Sequence, residues 1–334
     1  MEKKRNLNLD LIKVISCFAV VGLHTLKCDV SVLNSVFYYL CGFAIPVFFM
    51  SSGYILVNRD AISGQHIFKK IINILLVVAI WNIIIESAKL TYHLLIKKQT
   101  VSLLDIISAV FGSLIQKGIM FHFWYLGALM IVYIFIWFVF KINLNKKPMI
   151  IWSISVGISV ILQLLTYLRG ESLQKEVIQT FRQWTFIQYF MLGGMIPSIM
   201  PKIQKINIRL HGVILTVFCG VIPVYQLTMI SRVGDPHAEF FYDDVITIIW
   251  SGLLFTFLMR LCINEKAEKI ISSLVPLIMG VYIIHVLVIK AIVHFCPLDS
   301  FYKSLAAWGG VMLVSLLGAF ILSKLPLANK LIKI

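Results

Sequence analysis

Residues 9–26 read LDLIKVISCFAVVGLHTL, an apolar run in which only Asp10, Lys13 and His24 carry ionisable side chains. A helix needs roughly 20 predominantly apolar residues to cross a bilayer, so this run predicts a membrane-spanning helix. No small-residue cleavage site of the kind that ends a signal peptide follows it. We therefore expect the run to be retained as a first transmembrane helix.

Similar apolar runs recur along the whole chain. The ten candidate spans are Leu9–Leu26, Leu33–Leu56, Ile71–Leu95, Trp124–Phe140, Met149–Leu168, Trp184–Met200, Leu210–Ile230, Val245–Leu261, Leu274–Phe295 and Leu305–Leu325. A shorter run, Leu103–Ile115, is predicted to be an interfacial or re-entrant segment. Because the runs are continuous rather than alternating, they favour helices over the strands of a membrane barrel.

The composition agrees with a membrane protein. Hydrophobic residues make up 60% of the 334 residues and charged residues only 13%, about half of the ~25% usual in soluble proteins. This excludes an ordinary soluble enzyme, a disordered chain and a disulfide scaffold. We predict an all-α, polytopic integral membrane protein with about ten transmembrane helices, in which residues 1–334 form a single membrane-embedded domain.

The charge distribution predicts the orientation. The chain has 30 Lys and Arg residues against 15 Asp and Glu, and 18 of the 30 fall on the side of the N-terminus when successive connections alternate across the membrane. Cytoplasmic loops are enriched in Lys and Arg, so both termini are predicted to be cytoplasmic in a multi-pass protein of the cell membrane. No polar stretch combines basic and aromatic residues, so nucleic-acid binding is not expected. The six cysteines show no metal-ligand spacing, so no metal is expected.

The three ionisable residues of the first span are the strongest functional candidates. Lys13 and His24 are 11 residues apart, which places them on one stripe of the helix about 16 Å apart along its axis. Asp10 precedes Lys13 by three residues and can pair with it. Ionisable residues within a span mark a functional site by default. The alternative is that Lys13 snorkels to one interface while His24 lies among the headgroups at the other.

Other candidates are polar or aromatic residues within or beside later spans: His122, Trp124, Tyr125, Glu86, Arg182 and His285. The aromatic residues can equally form an interfacial belt, and His285 can equally be a hydrogen-bonded core residue. Nothing in the sequence sets the oligomeric state.

Five short elements occur in order along the chain. They are Asp10, Lys13 and His24; Phe48, Phe49, Ser52, Gly53 and Tyr54; His122, Trp124 and Leu126; Phe190 and Gly193; and Tyr282 and His285. In these residues the sequence resembles the acyltransferase family 3 of integral membrane proteins, whose members include O-acetyltransferases of surface polysaccharides. It departs from the family in having Lys13 where Arg is commoner, and only Lys69 and Lys70 where the family commonly has an Arg-rich patch.

The resemblance implies that an acetyl group moves from cytoplasmic acetyl-CoA to a hydroxyl on the outer side of the bilayer. His24 would be the general base, with Lys13 and Asp10 completing the catalytic set. The donor would be held by Lys13, Lys69, Lys70, Ser52 and Tyr54. The acceptor would contact His122, Trp124, Tyr125, Glu86, Arg182 and His285. A capsular or cell-surface polysaccharide is the first choice of acceptor, and a glycolipid is an alternative. Whether His24 is itself acetylated transiently stays open.

Two other classes of membrane protein stay open at this point. Ten helices with buried charges also suit a transporter or flippase of a small molecule or a lipid-linked glycan. No internal repeat of the kind common in transporters is visible in the sequence. A membrane sensing or uptake domain is the third alternative.

Overall fold

The computed structural model describes residues 5–92, 103–326, 329 and 332, and within these ranges the chain is helical without strands. The helices are α1 (Leu7–Thr25), α2 (Val32–Leu40), α3 (Ala44–Leu56), α4 (Gly64–Tyr92), α5 (Leu103–Leu114), α6 (Trp124–Lys141), α7 (Pro148–Arg169), α8 (Gln183–Ile203), α9 (Ile208–Val233), α10 (Val245–Leu258), α11 (Glu265–Leu274), α12 (Ile278–Phe295) and α13 (Phe301–Lys324). The all-α prediction is confirmed.

Eight helical segments of the described chain are long and apolar enough to cross a membrane. Each matches one of the ten predicted spans. The two other predicted spans correspond to α8, which has 21 residues but is more polar, and to α10, which has only 14 residues. About half of α8 is buried, including its polar residues Thr185 and Gln188, so these side chains meet protein rather than lipid. The protein is therefore a multi-pass membrane protein.

Several predicted boundaries differ from the structure. The predicted span Leu33–Leu56 is divided into α2 and α3 by a turn at residues 41–43. The predicted span Leu274–Phe295 is preceded by α11 and begins with a short 3₁₀ turn at Val275–Leu277. Leu95, the predicted end of the third span, lies outside the described residues, as do the basic residues Lys3, Lys4, Lys97, Lys98, Lys330 and Lys333. The short run predicted as re-entrant is α5, which packs beside α4 and α6.

Helices α3 and α8 cross in close backbone contact. A Cβ atom built on Gly53 would lie 1.8 Å from the backbone oxygen of Phe190, and one built on Gly193 would lie 2.0 Å from that of Met50. Any larger residue at either position would therefore collide with backbone. Small residues permit this kind of close approach in membrane proteins, where van der Waals packing holds helices together. The glycines of two motif elements thus fix the position of α3 against α8.

Helix α1 lies in the centre of the molecule, in contact with α3, α12 and α13. The side chain of Asn6 caps its start by accepting a hydrogen bond from the backbone N–H of Leu9 at 3.1 Å. The indole Nε1–H of Trp308 in α13 donates to the backbone oxygen of Phe18 at 2.8 Å. These contacts hold the helix that carries Asp10, Lys13 and His24.

Candidate active site

The first turn of α1 carries a buried carboxylate with two cationic partners. Asp10 is 6% exposed, and its oxygens lie 2.5 Å from Nε of Arg5 and 3.5 Å from Nζ of Lys13. The predicted pairing of Asp10 with Lys13 is present, whereas Arg5 was not predicted. One carboxylate cannot neutralise both cations, so the group has a net positive charge at the predicted cytoplasmic end of α1.

Three histidines meet at the other end of α1: His24 of α1, His285 of α12 and His122 of the 3₁₀ turn that precedes α6. The ring centroid of His285 lies 5.2 Å from that of His24 and 5.1 Å from that of His122. His122 and His285 are buried, whereas His24 is half-buried. The sequence predicted each of these residues as a candidate, and the structure brings all three together. Within the described residues, no group of three His, Cys, Asp or Glu side chains is arranged to hold a metal ion.

The hydrogen bonds of His285 indicate which of its ring nitrogens carries the proton. Its Nδ1 lies 2.7 Å from the backbone oxygen of Tyr282 and 3.1 Å from that of Val281, so Nδ1–H is the donor. The Nε2 atom of the neutral ring is then an acceptor, and it has no hydrogen-bond partner among the described residues. Both ring nitrogens of His122 are likewise without such a partner.

His24 and His122 line an outer cavity of about 330 Å³, and His285 lies behind them, outside its lining. Its lining includes His24, His122, Trp124, Tyr125, Gln116, Gln179, Tyr38, His237, Glu239, Tyr242 and Tyr282, together with apolar residues. The lining is rich in hydrogen-bonding groups, which is unusual within an apolar bundle. The cavity therefore suits a polar ligand with several hydroxyl groups.

A second, inner cavity of about 310 Å³ contains Lys13. Its other lining residues are mainly apolar side chains of α1, α3, α6 and α12. Four residues line both cavities: Val20, Ile45, Tyr125 and Tyr282. The two cavities therefore adjoin along α1, with Lys13 in one, His24 in the other, and a constriction formed by the four shared side chains between them.

The order of the lining residues along the chain agrees with this arrangement. In α1 the order is Lys13, Val20, His24, from the inner cavity through the constriction to the outer cavity. The order is reversed where the chain enters α6: His122, in the 3₁₀ turn before the helix, precedes Tyr125 and Leu129. These opposite directions agree with the predicted alternation of the spans across the membrane.

A family model described as an acyltransferase domain matches residues 6–324, which include every residue of the two cavities. The chain belongs to acyltransferase family 3. No curated protein and no solved structure matches it. Together with its apolar helices, the family makes the protein a membrane acyltransferase, so the two adjoining cavities are candidate sites for an acyl donor and an acceptor.

One wall of the acyltransferase's outer cavity comes from the connection between α9 and α10, which the sequence analysis did not assign to the site. Within it, Glu239 lies 3.5 Å from the guanidinium of Arg182, which is itself stacked 4.9 Å from the ring of Phe240. Burial raises the pKa of Glu239, and the charge of Arg182 opposes that rise. Burial also lowers the pKa of Arg182, against the neighbouring carboxylates. Arg182 thus borders the site through Glu239 rather than lining the cavity itself.

The connection is fixed at both ends. Tyr39 donates from its hydroxyl to the backbone oxygen of Pro236 at 2.8 Å, and Tyr189 donates to that of Tyr242 at 2.6 Å. The sequence feature that could have indicated this wall is a loop in which several acidic and aromatic residues lie close together. Hydropathy alone did not indicate that the loop folds inward.

The basic residues predicted to bind the donor differ in their surroundings and in their exposure. Lys70 lies over the ring of Tyr133 at 5.5 Å, and the charges of Arg59 and Lys13 act on it. Lys69 is exposed. Arg59, which the sequence analysis used only for orientation, therefore joins Lys13 and Lys70 in a basic group at the inner end.

The remaining candidates lie beside or away from the cavities. Ser52 lies next to the hydroxyls of Tyr125 and Tyr133. Tyr54 packs against Phe255 with ring centroids 6.2 Å apart and lines neither cavity. Glu86 forms an ion pair with Lys89 at 2.6 Å and lines a separate groove between α4 and α5.

Proposed function

We propose that this acyltransferase moves an acetyl group from cytoplasmic acetyl-CoA to a hydroxyl of a capsular or cell-surface polysaccharide on the outer side of the cell membrane. The observation that carries the proposal is the pair of adjoining cavities along α1, one lined by Lys13 and the other by His24 and His122. An acyl donor and an acceptor on opposite sides of a membrane need such a connection.

The donor fits the inner cavity by charge and shape. Coenzyme A carries three phosphate groups, which Lys13, Lys70 and Arg59 would hold at the inner end. Its narrow, largely uncharged arm would follow the apolar inner cavity past the constriction. The spacing of about 16 Å between Lys13 and His24 along α1 sets the distance that the arm has to cover.

The reaction is a direct transfer in which His24 acts as general base. The acceptor oxygen attacks the thioester carbonyl carbon while His24 removes the hydroxyl proton, which gives a tetrahedral oxyanion. The carbon–sulfur bond then breaks, the new ester remains on the acceptor, and His24 returns the proton to the sulfur of coenzyme A. No oxidant, reductant or further reactant is needed.

Neighbouring side chains have positioning and stabilising roles in this proposal. Tyr125 lines both cavities, so its hydroxyl is placed to donate to the oxyanion where the thioester would meet His24. His122 and Trp124 border the acceptor. His285 packs against the other two imidazoles with a ring nitrogen that has no hydrogen-bond partner among the described residues, and Arg182 positions Glu239. Asp10 orients Lys13.

A carbohydrate acceptor suits the outer cavity because amide, carboxylate and phenol groups can pair with its many hydroxyls. Gln116, Gln179, Glu239 and Tyr242 supply these groups. A glycolipid presents the same hydroxyl chemistry and is the alternative acceptor.

Radiolabelled transfer in membrane vesicles tests this function. Inside-out vesicles containing the protein receive acetyl-CoA labelled in the acetyl group, and the envelope glycans are then isolated and treated with mild alkali. We expect alkali-labile label in the glycan fraction, absent from vesicles that lack the protein. A transporter would instead move a solute without acetyl-CoA, so unlabelled glycans together with solute counter-flow would contradict the proposal.

A further inference from the structure

A lateral groove of about 500 Å³ lies between α7, α9 and α10, away from the histidines. It is lined at helical spacing by Val160, Gln163, Leu164 and Tyr167 of α7 and by Val217, Phe218, Val221 and Tyr225 of α9. Several of these side chains are exposed on the apolar surface, including Leu164 and Val217, each 56% exposed. The groove therefore opens sideways toward lipid.

The end of the groove nearest the connection between α9 and α10 is polar. Tyr225 donates to the hydroxyl of Tyr167 at 2.7 Å, and Tyr167 in turn donates to Oδ1 of Asp244. The neighbouring Asp243 is fully engaged, because its oxygens accept from Ser159, Thr185, Gln174 and Trp184 at 2.7–3.1 Å. The predicted topology places this end on the outer side of the membrane.

Two buried polar atoms at this end lack partners. Oδ2 of Asp244 and Nε2 of Gln163 have no hydrogen-bond partner among the described residues, although Asp244 is only 3% exposed and Gln163 also 3%. Both residues line the groove. One atom is an acceptor and the other a donor, and an unpaired buried polar group costs roughly 1–3 kcal/mol. The pair therefore points to a ligand that can both donate and accept.

We propose that the groove binds an outer-leaflet lipid whose head group carries a free hydroxyl. The lipid tail lies between α7 and α9, along the roughly 12 Å of helix from Val217 to Tyr225. The hydroxyl donates to Asp244 and accepts from Gln163. A phosphatidylcholine head group offers no donor for Asp244. A phosphatidylethanolamine head group offers ammonium donors and phosphate acceptors, but its anionic phosphate would have to lie beside the carboxylate of Asp244, and like charges repel there.

This site is separate from the acyl-transfer site. The connection between α9 and α10 lies between them, with Glu239 and Tyr242 facing the outer cavity and Asp243 and Asp244 facing the groove. Lipid binding here does not depend on acetyl transfer, so it can be measured on the purified protein alone.

Native mass spectrometry with defined lipids tests the proposal. The detergent-solubilised full chain is titrated with a monoglucosyl-diacylglycerol, a phosphatidylcholine and a phosphatidylethanolamine that share the same acyl chains. We expect the glucosyl lipid to bind about tenfold more tightly than either phospholipid, because its hydroxyl pairs with a buried carboxylate. Equal affinities, or a preference for phosphatidylethanolamine, would overturn the proposal.

Variants on the lipid-facing surface locate the site. Val217→Trp fills the groove and is expected to remove the tenfold preference. Val224→Trp is the matched control, because Val224 is on the same helix and 62% exposed but does not line the groove. Asp244→Asn is expected to reduce the preference to near unity. If that variant fails to fold, the comparison of Val217→Trp with Val224→Trp still tests the location of the site. A preference for the glucosyl lipid that survives Val217→Trp would refute this location.

Discussion

At the scale of single residues, the charge balance at the start of α1 supports the proposed binding of an anionic donor. Asp10 is shared between Arg5 and Lys13, so one positive charge is left over beside the inner cavity. Lys70 and Arg59 add to the same field. The buried carboxylate of Asp10 holds both Arg5 and Lys13 in place, and the excess positive charge is available to bind a phosphate group.

Replacing Lys13 with Gln should therefore weaken donor binding more than chemistry. We expect KM for acetyl-CoA to rise about tenfold, the loss typical of one charge-assisted hydrogen bond, while kcat changes less than threefold. Lys13→Arg should restore KM to within about threefold of the original value. Steady-state transfer with purified protein measures both constants. A fall in kcat at unchanged KM would mean that Lys13 acts in the chemical step instead.

The sequence singled out His24, His122 and His285 separately, because an ionisable side chain in or beside an apolar run is visible without a structure. Their meeting point was not predictable, since it depends on how α1, α12 and the 3₁₀ turn before α6 pack together, and the local pattern does not encode that packing. Glu239 and Tyr242 were missed as lining residues for a related reason. They lie in a loop, and only its contacts with α2 and α8 show that it folds over the site.

At the scale of elements, the crossing of α3 and α8 holds one wall of the constriction in place, because Ile45 lies on α3. The motif glycines Gly53 and Gly193 were visible in the sequence. The partner helix was not predictable. The predicted spans Trp184–Met200 and Val245–Leu261 are helical as expected and correspond to α8 and α10, although α10 has only 14 residues.

Gly53→Ala should disrupt this crossing. The added Cβ would meet the backbone oxygen of Phe190 at 1.8 Å, so the helices must separate, and we expect a loss of stability of at least about 3 kcal/mol. Gly220→Ala in α9 is the control, since a Cβ there meets nothing within 4 Å and the change should be neutral or slightly stabilising. Thermal unfolding in detergent compares the two. Equal midpoints would show that the α3–α8 contact is looser than described.

At the scale of the whole molecule, the two cavities and the constriction between them form one path along α1. Val20, Ile45, Tyr125 and Tyr282 come from four helices, so the constriction exists only in the assembled bundle. The 16 Å stripe on α1 was predictable from helical periodicity alone. The path beside it was not, because its volume is set by side chains distant in sequence.

Val20→Phe should narrow the constriction without touching the basic group. We expect acetyl transfer to fall at least about tenfold while the affinity for acetyl-CoA, measured by calorimetry, stays within about threefold. Phe18→Trp is the control on the same helix, because Phe18 is 38% exposed on the apolar surface. Equal transfer by both variants would place the donor's route elsewhere.

The most direct test of the account is the transfer rate of His24→Ala compared with His294→Ala, each at matched protein levels in the vesicle assay. His24 borders the outer cavity, whereas His294 is exposed at the end of α12 and lines neither cavity. Loss of a general base typically costs 10²–10⁴-fold in rate. The account predicts at least about a hundredfold loss of alkali-labile acetyl label for His24→Ala and an unchanged rate for His294→Ala. Undiminished transfer by His24→Ala would contradict it.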